Sequence, residues 1–124
     1  MGKFLIIISG IGTGGHYFPA LVVADEFVKN HIETIFLVRK GFPEEEMAKK
    51  YGLKTFYINP QPYYGKSLLN KITALEKAVE SVLKLNPRTK KCVGISFGGF
   101  GSLPLILSCI INNQIFFLFE LNCI

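Results

Sequence analysis

Short, fully apolar runs alternate along this chain with longer segments in which apolar residues recur at helical spacing. A strand that is apolar on both faces needs cover on both sides, as in a parallel sheet between two layers of helices. The pattern therefore predicts an α/β fold with a Rossmann-like parallel sheet and helices on both faces. The predicted strands are residues 3–9, 33–38, 55–58, 92–95 and 115–119.

Four helices are predicted between these strands, and the 124 residues are expected to form one domain. The first helix is predicted at 19–29, with Pro19 in its first turn, where a missing N–H is tolerated. A Leu-rich stripe that begins at Leu68 predicts a third helix whose apolar face is core. The last helix and strand are predicted to be buried. The second and fourth helices are predicted at 43–51 and 103–111.

The net charge of +5 resides in residues 66–91, which hold seven basic and two acidic side chains. Such a segment attracts anionic lipid headgroups or phosphates, or is simply a solvated helix face. No aromatic residues are interleaved with its lysines, so nucleic acid is not expected as a partner. Three cysteines without a CxxC pair disfavour disulfide and zinc frameworks and favour a reducing compartment. No membrane span is predicted.

A glycine loop follows the first strand and allows two interpretations. Gly10, Gly12 and Gly15 match the GxGxxG dinucleotide fingerprint. In that fingerprint the helix begins within the glycines, which would place Pro19 unfavourably inside it. Arg39, after the second strand, could accommodate a 2′-phosphate, so a small NADP-binding module stays open as an alternative.

The longer interpretation of the same loop takes in the residues that follow the glycines. Its backbone N–H groups could approach a ligand closely near the positive end of the next helix. Thr13 offers a hydroxyl, and His16 is a titratable group suited to taking a proton from a sugar hydroxyl. His31, in a turn between helix and strand, is expected to be a loop residue only.

Four segments in order resemble the MurG-type glycosyltransferases of family 28. Residues 9–27, SGIGTGGHYFPALVVADEF, resemble the family's opening GGTGGH-x-x-P-A-L-A-x-A pattern. Residues 64–68 resemble its R-G-K-G loop, and residues 96–104, SFGGFGSLP, resemble G-F-G-G-Y-x-S-G-P. Residues 120–122 stand where the family has E-Q-N, with Leu121 in place of Gln.

This resemblance implies the N-terminal, acceptor-binding half of a two-domain GT-B enzyme. Members transfer N-acetylglucosamine from UDP-GlcNAc, with inversion, to a muramoyl sugar on a polyprenyl-diphosphate lipid in peptidoglycan synthesis. The resemblance implies a cytoplasmic protein, peripheral on the inner face of the cell membrane. A donor-binding half is absent from residues 1–124, so a separate chain would have to supply it. A truncated, non-catalytic gene fragment is the other alternative.

The resemblance also assigns site residues. His16 would be the general base, and Thr13, Gly14, Gly15 and Asn122 would contact the donor. Gly98, Gly99 and Phe100 would form a second glycine loop that faces the acceptor. No cofactor is implied. No metal is expected either, because the sequence lacks clustered carboxylate or histidine ligands such as an Asp-x-Asp pair.

Overall fold

The computed structural model of the chain describes residues 4–11, 14–58, 67–85, 91–98 and 102–119. Within them, strands and helices alternate strictly along the chain. The strands are β1 Phe4–Ser9, β2 Glu33–Val38, β3 Lys54–Tyr57, β4 Lys91–Ser96 and β5 Ile115–Leu118. The helices are α1 Gly14–Lys29, α2 Pro43–Lys50, α3 Leu68–Leu85 and α4 Ser102–Ile111.

The strands form one parallel sheet in the order β3-β2-β1-β4-β5. The chain runs outward from β1 to β3, then crosses back to build β4 and β5 on the other side of β1. This is the strand order of a Rossmann half, and it confirms the predicted fold class. Since all strands are parallel, their carboxyl ends lie along one edge of the sheet, here called the carboxyl edge.

Two apolar layers cover the sheet and explain why β1 is almost wholly buried. One layer joins alternate residues of β1, including Ile6 and Ile8, to α1 and α2. The other joins Leu5 and Ile7 to side chains of α3 and α4, such as Val82 and Leu105. The four central side chains of β1, Leu5 to Ile8, therefore each have apolar partners on one face or the other.

The start of α1 differs from the prediction. The helix begins at Gly14, and Pro19 lies inside it as its sixth residue. A proline there forfeits one backbone hydrogen bond just beyond the first turn. Complete burial of Ala20, Leu21 and Ala24 against the sheet offsets that loss. The position of Pro19 is thus no argument against a helix that starts within the glycine run.

The Leu-rich stripe of α3 is core only in its second half, so that prediction was wrong for the first half. Ala78, Val79 and Val82 are buried, whereas Leu68 and Leu69 are 74% and 73% exposed. The helix packs mainly on α4. Periodicity shows which face of a helix can be buried, but it does not show how far the neighbouring surface extends.

The prediction of a buried last strand was also wrong. All four residues of β5 are exposed, and β5 pairs only with β4 among the described strands. Its apolar run is typical of an interior strand, but here it lies at the edge of the sheet. The other edge strand, β3, carries Lys54 and Thr55 and is built as an edge.

Gly94 in β4 offers a test of the packing between sheet and α4. A Cβ added there would lie 2.7 Å from Cys109 Sγ and 3.3 Å from two atoms of Leu105. We expect Gly94→Ala to lower the free energy of unfolding by about 1–3 kcal/mol, the usual cost of overpacking. Chemical denaturation would measure the loss.

A double-mutant cycle distinguishes this clash from a backbone effect of alanine. Cys109→Ala removes the sulfur atom, so most of the loss should disappear when both changes are combined. Additive losses in the double variant would show that the contact with Cys109 is not the cause.

Candidate functional site

The carboxyl edge is held together by backbone hydrogen bonds just past the strand ends. The N–H of Phe97 donates to the carbonyl of Ser9 at 2.9 Å, which ties the end of β4 to the end of β1. The N–H of Phe119 donates to the carbonyl of Ser96 at 2.8 Å. These bonds fix the points at which both glycine loops leave the sheet. In parallel α/β sheets, ligands bind at this edge, where the strand order reverses.

The first glycine loop runs into α1 at this edge. Gly14, Gly15 and His16 are the first three residues of the helix. The N–H groups of a first helical turn have no partner within the helix and carry its partial positive charge. The geometry therefore places backbone donors at the carboxyl edge. Thr13 and the side chain of His16 lie outside what the structure describes, so their roles stay predictions.

The second glycine loop leaves β4 next to the first. Gly98 has φ +91°, a left-handed conformation that favours glycine. Its N–H donates to Ser96 Oγ at 3.3 Å, which turns the chain back over the end of the strand. Because β4 pairs directly with β1, Gly98 and the start of α1 lie on neighbouring strand ends. Gly99, Phe100 and Asn122 lie outside the described residues.

Two serines at the strand ends were missed by the sequence analysis. Ser9 and Ser96 are register partners on β1 and β4, and both are buried. Among the described residues, Ser9 Oγ has no hydrogen-bond partner. An unsatisfied buried hydroxyl is unfavourable, so such groups are uncommon in folded proteins. The available signal was a small polar residue that closes each of two apolar strands just before a glycine loop.

A second feature of the carboxyl edge is a cleft of about 420 Å³ at the ends of β2 and β3. It is lined by Arg39, Lys40, Phe42, Tyr57, Ile58 and Ser81. The side chain of Arg39 is held by Glu44: Nε and a terminal nitrogen donate to the two carboxylate oxygens at 2.7 and 2.9 Å. Its guanidinium also lies 3.8 Å from the centre of the Phe42 ring. Because the Glu44 carboxylate already neutralises the guanidinium, Arg39 does not offer the positive charge that a 2′-phosphate would need.

Glu45, next to this ion pair, has an unusually acidic carboxyl. A hydrogen bond from the side chain of Tyr57 and one from the N–H of Gly41 lower the pKa of Glu45 to about 2. Lys49 adds an ion pair at 3.3 Å. The charged carboxylate thereby ties the loop before α2 to the end of β3.

The buried cysteines contribute packing, not reactivity. Cys92 and Cys109 are buried and reduced. Burial raises the pKa of the Cys109 thiol to about 11, so at neutral pH it is a neutral, apolar group. Across the described ranges, no three His, Cys, Asp or Glu side chains come together as metal ligands.

The Glu45 carboxylate predicts a change in stability at acid pH. Its pKa lies below the unfolded value of about 4.3, so its contribution is complete above that pH and is lost as pH falls toward 2. We expect Tyr57→Phe to raise the pKa of Glu45, because the largest cause of the depression is removed. Carbon-detected NMR titration of the Glu45 carboxyl would measure the shift.

Tyr51→Phe is the control for this titration, since Tyr51 is an exposed tyrosine in the same region. It should leave the Glu45 titration where it is. Equal shifts in the two variants would show that the Tyr57 hydroxyl is not responsible.

The chain matches a known protein family over nearly its whole length. The sequence model of the glycosyltransferase family 28 N-terminal domain matches residues 6–124. A UDP-N-acetylglucosamine–N-acetylmuramyl-(pentapeptide) pyrophosphoryl-undecaprenol N-acetylglucosamine transferase from Aquifex aeolicus is 28% identical over 121 residues. The enzyme of the same name from Haemophilus ducreyi is 32% identical over 127 residues. These matches cover 97% and 100% of this chain but only 35% and 36% of the two relatives.

A solved structure agrees on the fold. The crystal structure of MurG from Acinetobacter baumannii superposes with a TM-score of 0.72 at 21% identity. The superposition covers 94% of this chain and 34% of that protein. The chain thus spans about a third of the length of the proteins it resembles.

Proposed function

Because the chain belongs to glycosyltransferase family 28 as an N-terminal domain, we propose that it is the acceptor-binding half of an N-acetylglucosaminyltransferase. The acceptor is a muramoyl-pentapeptide on a polyprenyl diphosphate, and the donor is UDP-GlcNAc. Both are the substrates that the names of the relatives give. The reaction would serve peptidoglycan synthesis.

The proposal is supported most directly by two glycine-containing segments that follow neighbouring strand ends at the carboxyl edge. One loop begins α1 at Gly14, and the other leaves β4 at Gly98. Backbone N–H groups and a helix N-terminus suit the oxygens of a diphosphate, which both substrates contain. The buried Ser9 hydroxyl, which has no hydrogen-bond partner in the described part of the chain, adds a polar group at the same edge.

In the proposed reaction, the imidazole of His16 removes the proton from the sugar hydroxyl of the acceptor. The hydroxyl oxygen then attacks the anomeric carbon of the donor sugar, and UDP leaves from the opposite side, which inverts that centre. Thr13, Gly14 and Gly15 would stabilise the developing diphosphate charge, and Asn122 would hold the transferred sugar. Gly98, Gly99 and Phe100 would face the acceptor.

The donor half of the proposed enzyme must come from further polypeptide. This chain matches 35% of the Aquifex aeolicus relative, and a cleft between two domains would surround the nucleotide sugar. We propose that residues 1–124 bind the acceptor alone but transfer sugar only together with such a donor half.

Binding by the chain alone is the first test. We expect a short-chain polyprenyl-diphosphate muramoyl-pentapeptide to bind at least about tenfold more tightly than UDP-GlcNAc, because only the acceptor surface is present. Calorimetry of the 124-residue chain with each compound, and with NADP, would compare them. Micromolar binding of NADP or UDP-GlcNAc would instead identify a stand-alone nucleotide-binding module.

Transfer by a chimera tests His16. Residues 1–124 would be joined to the part of the Aquifex aeolicus relative that follows its matched region. His16→Ala should lower kcat by about 10²–10⁴-fold, the usual contribution of a general base. Transfer of labelled N-acetylglucosamine to the acceptor would be measured.

The second histidine gives a matched control. His31 is exposed in the turn before β2, at the opposite end of the sheet, with φ 61°. His31→Asn preserves that backbone preference and should not change kcat. Equal loss in both variants, or none in His16→Ala, would remove His16 from the mechanism.

We also propose that the N-terminal half of α3 binds the cytoplasmic membrane surface peripherally. Leu68, Leu69 and Ile72 are exposed there, and Lys71 lies among them. Exposed leucines beside lysines suit the boundary between acyl chains and anionic headgroups. In the described part of the chain, no helix has the length and apolarity to cross a membrane.

Vesicle binding tests this surface. Changing Lys66, Lys71 and Lys77 to Gln should reduce binding to phosphatidylglycerol vesicles by at least about tenfold, since each lysine adds on the order of 1 kcal/mol. The control changes Lys40, Lys50 and Lys54, which are exposed elsewhere, and alters the net charge equally. Sedimentation with vesicles would measure both. If the two triple variants lose equal affinity, net charge and not the α3 surface is responsible.

A further inference from the structure

Ser9 Oγ is a fully buried polar atom without a hydrogen bond. Ser9 closes β1 and is 0% exposed, and its hydroxyl has no partner among the described residues. A buried hydroxyl that makes no hydrogen bond destabilises the folded chain, and an alanine at the same position would not. The hydroxyl is therefore not explained by the stability of the free chain.

A second buried hydroxyl lies beside it on the neighbouring strand. Ser96 is the register partner of Ser9 and is 1% exposed. Leu5 and Cys92, paired four residues earlier, belong to the apolar layer under α3 and α4, so the two-residue alternation of strands places both serines on that face. Because neighbouring strands are only about 4.8 Å apart, rotation of one serine side chain between its staggered positions brings the two hydroxyls within reach.

Ser96 Oγ already accepts one hydrogen bond from the second glycine loop. The donor is the N–H of Gly98, and the distance of 3.3 Å exceeds the roughly 2.7–3.2 Å that is usual for such bonds. The residue before it is held more firmly, since the N–H of Phe97 donates to the Ser9 carbonyl at 2.9 Å. Glycine tolerates positive and negative φ, so the peptide unit before Gly98 can rotate while Phe97 stays anchored.

We propose that Ser9 is a positioning residue for the diphosphate of the acceptor, and that it acts through Ser96 and Gly98. When a phosphate oxygen draws the Gly98 N–H away from Ser96 Oγ, the Ser9 hydroxyl donates to Ser96 Oγ in its place. These three groups share one hydrogen bond in the free chain and take part in two in the bound chain. The exchange releases a backbone donor to the ligand and leaves no buried hydroxyl unsatisfied.

This inference rests on the proposed function, because it requires an acceptor that carries a diphosphate at the carboxyl edge. It adds a residue that does not touch the substrate. A residue of this kind has an unusual signature, since removal of its hydroxyl weakens binding without weakening the fold.

The stability of the free chain is the first measurement. Ser9→Ala should leave the free energy of unfolding in urea unchanged or raise it, because no hydrogen bond is lost. Ser96→Ala should lower it, because the Gly98 N–H loses its partner. Equal losses in the two variants would overturn the proposal, since the Ser9 hydroxyl would then be bonded in the free chain, as by a buried water molecule.

Acceptor binding is the second measurement. Calorimetry with the short-chain polyprenyl-diphosphate muramoyl-pentapeptide should show about twofold to tenfold weaker binding by Ser9→Ala, the usual net effect of one hydrogen bond. Ser108→Ala is the matched control. It removes another fully buried serine hydroxyl, one that donates to the Leu105 carbonyl within α4, and should not change the affinity. Equal affinity losses in the two variants would contradict the proposal.

A double-mutant cycle tests the route through Ser96. The loss caused by Ser9→Ala should disappear when Ser96 is already alanine, because both changes remove the same hydrogen bond of the bound state. In NMR spectra of the unmodified chain, the Gly98 amide resonance should move as acceptor is added, since its N–H changes partner. An additive cycle, or a Gly98 resonance that stays in place at saturation, would overturn the proposal.

The same titrations separate this inference from the proposed function. If the unmodified chain binds the acceptor and Ser9→Ala binds it equally well, the role of Ser9 is wrong and the proposed function stands. If the unmodified chain does not bind the acceptor, both are wrong.

Discussion

The hydrogen-bonded pairing of β1 with β2 on one side and β4 on the other determines nearly everything else in this structure. Both pairings are parallel, so each must be joined through a crossover, and the crossovers supply the helices that bury the sheet. The same pairing brings the end of β1 and the end of β4, each followed by a glycine loop in the sequence, side by side. The strand order reverses between β1 and β4, and parallel α/β sheets usually bind ligands at such a reversal.

The polar groups of the carboxyl edge fall into two sets, which differ in whether they bind one another. At the ends of β2 and β3, charges satisfy one another: Arg39 holds Glu44, and Glu45 accepts hydrogen bonds from Tyr57 and Gly41. At the ends of β1 and β4, the first turn of α1 has N–H groups without helical partners, and the Ser9 hydroxyl has no partner among the described residues. Charged groups are therefore paired with one another at one half of the edge, and the other half is the part that we propose binds substrate.

Much of this fold follows from local sequence patterns, and the misses share a cause. Apolar runs and helical spacing located all the described strands and helices. The start of α1 was misplaced because a local proline rule was weighed without the burial of Ala20 and Leu21. The exposure of Leu68 and of β5 could not be predicted, because apolar composition shows that a residue can be buried, not that a neighbour is present. The ion pair between Glu44 and Arg39 and the register of Ser9 with Ser96 depend on tertiary geometry, which a sequence motif does not specify.

The stacked rings of Phe97 and Phe119, 5.2 Å apart and nearly parallel, connect two parts of the molecule that the chain separates. Phe119 is the residue after β5, and Phe97 is the residue before Gly98. Phe97 is buried and Phe119 is half-exposed, so a group that packs on the Phe119 ring also restricts the Phe97 ring stacked against it. The position of Phe97, the residue before Gly98, therefore depends on a ring beyond the edge strand β5 as well as on the end of β4.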